Sequence, residues 1–145
     1  MDTNYFAQHI QCSRFEKQDL MDYIQILMEL ATHARDYGLL DLDRRIHSDP
    51  VRYCDPFLRK AVNLIADISD PRLVRKVLYN YIVAGNFTGG NFLKSVVITE
   101  TAIAMMMQQD LDYIFSFLVP SYFGLEFDGV IQKMFREFKA SKHIV

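Results

Sequence analysis

Leu20-Met21-Asp22-Tyr23-Ile24-Gln25-Ile26-Leu27-Met28-Glu29-Leu30-Ala31 decides the class of fold. Leu20, Ile24, Leu27, Met28 and Ala31 recur at spacings of three and four, which on an α-helix makes one apolar stripe. Asp22, Gln25 and Glu29 fall between them and are expected to face away. Gly38 is well placed to end this helix with a left-handed cap. Just beyond it, Leu39, Leu40, Leu42 and Ile46 share one side of a short segment, with Asp41, Asp43, Arg44 and Arg45 on the other.

Working outward, the next two starts are explicit. Asp55-Pro56 and Asp70-Pro71 each place an N-cap acceptor before a proline, which is tolerated at the first helical position because that amide has no intrahelical partner. The first opens a helix with Leu58, Ala61, Val62, Ile65 and Ile68 inward, the second one with Val74, Val77, Leu78, Tyr81 and Ile82 inward. Gly85-Asn86-Phe87-Thr88-Gly89-Gly90-Asn91 is the one glycine-rich run and reads as a flexible linker at 85–91 between a segment 1–84 and a segment 92–145. After it, Phe92 to about Gln109 is helical and apolar nearly all round. Asp110 caps a helix to Val119 that Pro120 ends, and a last helix runs from Phe123 to Lys139 with Phe127, Val130, Ile131, Met134, Phe135 and Phe138 inward. Strand alternation is absent, so the expectation is an all-α bundle of five to seven helices forming one compact domain.

Composition narrows the function. The chain has 145 residues, half of them hydrophobic, and a net charge of −2, enough for a core and without the basic field that duplex DNA requires. Two cysteines, Cys12 and Cys54, do not make a disulfide scaffold or a four-cysteine zinc site. The polar start and the short apolar stretches give neither a signal peptide nor a spanning helix, and the expected setting is the cytoplasm.

Motifs for chemistry are weak. Gly85 and Gly90 match the outer glycines of a phosphate-binding loop, but Asn91 stands where the lysine belongs, and Lys94-Ser95 comes three residues late. Glu29 and His33 lie one turn apart without a second ligand pair, and His9, His47 and His143 are scattered, so no metal or cofactor is expected. No nucleophile–base arrangement stands out, and no enzymatic activity is expected. Met105-Met106-Met107 reads either as core or as an adaptable partner surface. Lys133, Arg136, Lys139 and Lys142 make a basic amphipathic end, suited to a helix C-terminus or to an anionic membrane. Bases and acids are interspersed from Arg35 to Lys76, whereas Lys94 is the single base between Val77 and Gln132.

Ala34-Arg35-Asp36-Tyr37-Gly38-Leu39-Leu40-Asp41-Leu42-Asp43 resembles the signature that opens the cytoplasmic loop of the MotA family of flagellar stator subunits. The resemblance continues through Asp55-Pro56-Phe57-Leu58-Arg59-Lys60-Ala61 and Asp67-Ile68-Ser69-Asp70-Pro71 with Val74-Arg75, and covers about Phe15 to Ile82. Phe92 to Tyr122, with Glu100 and Ala104, is similar to the segment after the family's last membrane helix. The four membrane helices of such subunits have no counterpart, and the glycine-rich run stands where the third and fourth belong.

The resemblance implies a cytoplasmic domain of an inner-membrane protein that pushes electrostatically on the rotor switch protein FliG. Ion conduction then resides in absent membrane helices shared with the stator B subunit. It assigns rotor contact to Arg35 and Asp43, the latter usually glutamate in the family, with Asp36, Arg44 and Arg45 as supporting charges. It implies an oligomer for the intact protein and, for this fragment, either a monomer or a weak association. Spacing alone leaves open that Arg35 and Asp43 pair with each other, or with Arg44 and Asp36. The alternative is a soluble all-α adaptor that carries the same loop to a different partner.

Overall fold

The computed structural model describes residues 1–142, so His143 lies outside the described residues. Every regular element among them is helical: α1 (Thr3–His9), α2 (Arg14–Asp19), α3 (Met21–Tyr37), α4 (Leu39–Ser48), α5 (Pro56–Asp67), α6 (Pro71–Ala84), α7 (Gly89–Met106), α8 (Leu111–Tyr113), a π-helical stretch Ile114–Leu118, α9 (Val119–Phe123) and α10 (Leu125–Ser141). The total exceeds the expected five to seven through α1 and α2 and through the division of 111–123.

The caps act as their residue types dictate. Asp55 accepts from the Phe57 and Leu58 amides, and Asp70 from that of Arg72. In α2, Ser13 and Glu16 form a reciprocal capping box. The core runs through both segments of the sequence, from Ile24, Leu27, Met28, Leu30 and Ala31 of α3 to Ile131, Phe135 and Phe138 of α10.

α7 is the central helix and packs against α2, α3, α5, α6 and α9. Its buried residues lie on all sides, including Phe92, Leu93, Val96, Val97, Ile103 and Ala104. Its one acidic residue is Glu100, which accepts two hydrogen bonds from Arg75, at 3.1 and 2.9 Å, and one from the Tyr79 hydroxyl. Burial and this carboxylate push the Tyr79 phenol well up, and burial pushes that of Tyr122 up to about 12.

The glycine run is not a linker throughout. Gly89, Gly90 and Asn91 form the first turn of α7, which leaves Gly85–Thr88 as the connection. Tertiary contact explains the glycines. Glu16 accepts a hydrogen bond from the Gly90 amide at 2.7 Å, placing a carboxylate at the α7 N-terminus. A Cβ on Gly89 would stand 2.8 Å from that carboxylate oxygen, and its φ of +58° also favours glycine.

Pro120 does not end a helix either. It lacks the N–H that would reach back to the Ser116 carbonyl, and the turn before it widens so that Val119 N–H donates to Ile114 O. Gln132 of α10 donates its side-chain amide to the Ser116 carbonyl at 3.4 Å, and the chain continues into α9.

Three expected inward residues face elsewhere. Leu40, Tyr81 and Val130 are exposed, and Lys60 covers the Tyr81 ring at 5.4 Å. Ile68, at the end of α5, is half-buried and packs against the core as expected, and Val77 is half-buried. Glu29, expected to face away, is largely covered and receives Arg52 through two bonds of 2.8 Å, with the Tyr53 hydroxyl at 3.4 Å.

Candidate functional site

α3 and α4 meet at Gly38, whose φ of +89° and ψ of 165° lie in a region that residues with a Cβ avoid. One glycine therefore closes one helix and opens the next. The sharp corner projects Tyr37, 69% exposed, and Leu40, 77% exposed.

Charges surround these two side chains. Arg35, in the last turn of α3, donates to the neighbouring Asp36 at 3.0 Å, and both side chains are close to half exposed. Asp43 lies 3.7 Å from His47, whose Nδ1 is hydrogen-bonded at 2.7 Å to the Asp43 carbonyl. Arg44 forks onto Asp41 with two bonds of 2.8 Å. Arg45 forms no ion pair among the described residues. Arg35 and Asp43 thus do not pair with each other; of the other pairings left open by spacing, Arg35 with Asp36 forms and Asp43 with Arg44 does not.

Behind the charges lies the brace that holds the corner. His33 Nε2 of α3 approaches Asp41 Oδ2 of α4 at 2.6 Å, and the Tyr37 ring lies 4.7 Å from the imidazole. The Arg44 fork and the His33 bond hold the Asp41 carboxyl at about 2, well below the ordinary 3.8. Sequence reading assigned Asp41 and His33 no such role. Both residue types were visible, but the Gly38 geometry that brings them together was not.

Other candidates are engaged in structure. Lys94 pairs with the α5 cap Asp55 at 2.5 Å and lies over the Tyr23 ring, so it faces no glycine loop. Glu29 and His33 turn to Arg52 and Asp41 rather than to a shared point, and no group of three metal-ligating side chains occurs among the described residues. Cys12 is half-buried, which pushes its thiol up, and Cys54 is exposed. The methionine run divides, with Met105 in the core and Met107 exposed.

Fold and site together define an all-helical protein with an exposed corner of mixed charge and no helix, among the described residues, long and apolar enough to cross a membrane. The chain is similar to Motility protein A of Borreliella burgdorferi, with 39% identity over 56 residues, 39% of this chain. It spans about a fifth of that relative's length, the matched part being 20% of it. The match supports a relation to motility proteins of the MotA kind over that part. No protein-family model and no solved structure matches the chain.

Proposed function

We propose that the α3–α4 corner is a stator-type contact surface that meets the rotor switch protein FliG electrostatically and passes torque to it. The observation that carries this reading is the pairing at the corner: Arg35 and Asp43 are held only by exposed near neighbours, beside two bare apolar side chains. Exposed ion pairs are worth about 0–1 kcal/mol, so exchanging Asp36 or His47 for a partner's charge is nearly neutral. Several such exchanges give steering and discrimination, together with a grip that releases quickly. Tyr37 and Leu40 supply apolar area, and the His33–Asp41–Arg44 brace keeps the surface in shape.

In this reading the chain is not an enzyme and conducts no ions itself. Ion chemistry belongs to membrane helices and a stator B subunit in an intact inner-membrane assembly, with this part on the cytoplasmic side. The partial match to Motility protein A and the resemblance of 34–43 support it.

The test is a calorimetric titration with the C-terminal domain of FliG at low and high salt, with Arg35→Glu and Asp43→Lys as controls. Salt-sensitive binding that either control abolishes is the expected result. Binding that survives both charge reversals, or no binding by a folded chain at low salt, overturns the assignment and favours an adaptor with a different partner.

A further inference from the structure

α6 is an edge helix, packed mainly against α5 and α7. It buries Val74, Leu78 and Ile82, which recur every four residues. A second apolar row, Leu73, Val77 and Tyr81, runs one residue ahead of the first, about 100° round the helix. This row is left towards solvent: Leu73 is 54% exposed, Tyr81 46%, and Val77 is half-buried. Exposed Ala84 continues it. A surface helix that serves the core alone carries polar residues on that side. α6 thus has more apolar surface than the core takes up.

The charge beside this row is one-sided. α6 contains Arg72, Arg75 and Lys76 and no acid. Across residues 56–84, five bases stand against two acids, Asp67 and Asp70. Asp70 is taken by Arg72 at 3.0 Å, Arg75 turns to Glu100 of α7, and Arg59 donates to the Tyr53 carbonyl. Lys60 and Lys76 have no carboxylate partner among the described residues. Lys60 reaches from α5 over the Tyr81 ring and marks one edge of the row. Exposed Lys76, one turn beyond Leu73, marks the other. Asp67 stands seven residues after Lys60, at the opposite end of α5.

We propose that the outer face of α6 docks an acidic amphipathic helix of a partner protein. Its apolar side chains lie along Leu73, Val77 and Tyr81, and carboxylates on its two edges meet Lys60 and Lys76. The row from Leu73 to Ala84 is about 16 Å long, which matches three turns of such a helix. Asn80 lies within this face, and Asp67 and Asp70 border it. A helix with a polar rim leaves these groups hydrated, whereas insertion into a lipid layer strips their water. The inference goes beyond the rotor-contact reading and does not depend on it, since the corner belongs to α3 and α4.

The test uses the full chain, isotopically labelled, and a blocked helical peptide of about 18 residues with a leucine stripe flanked on both edges by glutamate. A second peptide has lysine for glutamate, and phosphatidylcholine–phosphatidylglycerol vesicles are a third probe. Amide shifts centred on residues 73–84 are expected with the glutamate peptide and with neither other probe. Lys60→Glu and Lys76→Glu are each expected to weaken binding about 3- to 10-fold. The double variant is expected to prefer the lysine peptide, a reversal that misfolding does not produce. Equal binding of both peptides, no binding of the glutamate peptide, shifts centred elsewhere, or indifference to both substitutions overturns the proposal. Vesicles that shift the same amides overturn it in favour of a lipid surface. Each of these results is independent of the FliG titration.

Discussion

Two corners of this molecule share one backbone geometry and differ in what surrounds them. Gly38, between α3 and α4, has φ +89° and ψ 165°; Gly124, between α9 and α10, has φ +95° and ψ 164°. Each glycine closes one helix and opens the next, and each leaves a leucine bare beyond it, Leu40 and Leu125. The Gly124 corner is strapped by another element. Lys17 of α2 donates to the Phe123 carbonyl at 3.1 Å, and Arg14 of α2 pairs with Glu126 at 2.8 Å. Among the described residues, the polar side-chain bonds across the Gly38 corner come from within it, from His33, Asp41 and Arg44. The same joint thus serves as a tie between chain ends in one place and as an open surface in the other. That contrast supports the reading of the open corner as the one that meets a partner.

The largest expected effect tests the shared geometry. Neither glycine has a neighbour within 4 Å of a built Cβ, so a methyl group meets no steric obstacle. The conformation itself is the obstacle, since this region is essentially restricted to glycine and costs other residues of order 1–3 kcal/mol. Gly38→Ala and Gly124→Ala are each expected to lower unfolding free energy by about 2 kcal/mol in denaturant titrations. If only one does, the two corners are not equivalent.

The two corners were not equally legible in the sequence. Gly38 stands where one periodic pattern stops and another begins in a different phase, and the reading ended a helix there. Gly124 sits between Phe123 and Leu125 in a run of apolar residues, and the reading passed through it. Pro120 added to the error, because its usual meaning as a stop is overridden by the π-helical turn and by Gln132, which lies on another helix. Gly89 and Gly90 misled for a similar reason. Their explanation is Glu16, 74 residues earlier than Gly90, and no local pattern shows it. The charges of the candidate site were legible because exposed residues need no tertiary partner to be noticed. The His33–Asp41 brace, which needs the Gly38 turn, was not.

A smaller effect separates the strap from the brace. Lys17→Met keeps the stem and removes the ammonium from the Phe123 carbonyl, where a cation at a helix end is favourable. A loss of about 1 kcal/mol is expected, with faster amide exchange around residues 123–127 and none around 37–41. Exchange spreading to the Gly38 corner would show that the two corners are coupled and would break the contrast.

The smallest effect belongs to the brace itself and is read by pH. Asp41 is held at about 2 in the folded chain, against an ordinary 3.8, by Arg44 first and His33 second. A depressed carboxyl contributes stability that is complete above the ordinary value and is lost as pH falls through the folded one. The contribution of Asp41 should therefore fade as pH drops from about 4 towards 2, and Asp41→Asn should remove that part of the acid dependence. Because the carboxyl lies near solvent, the change in global stability is small, and the sensitive readout is local. The Arg44 Nε–H resonance should broaden over this pH interval in the parent chain and be broadened throughout in the variant. At neutral pH, the proposed rotor contact predicts that the variant still folds while binding FliG more weakly, because Arg44 loses its anchor within α4 and α4 loses its bond to His33 of α3. Unchanged binding by Asp41→Asn would mean that the corner keeps its shape through Gly38 alone, and that the brace is a by-product of the turn rather than what sets the contact surface.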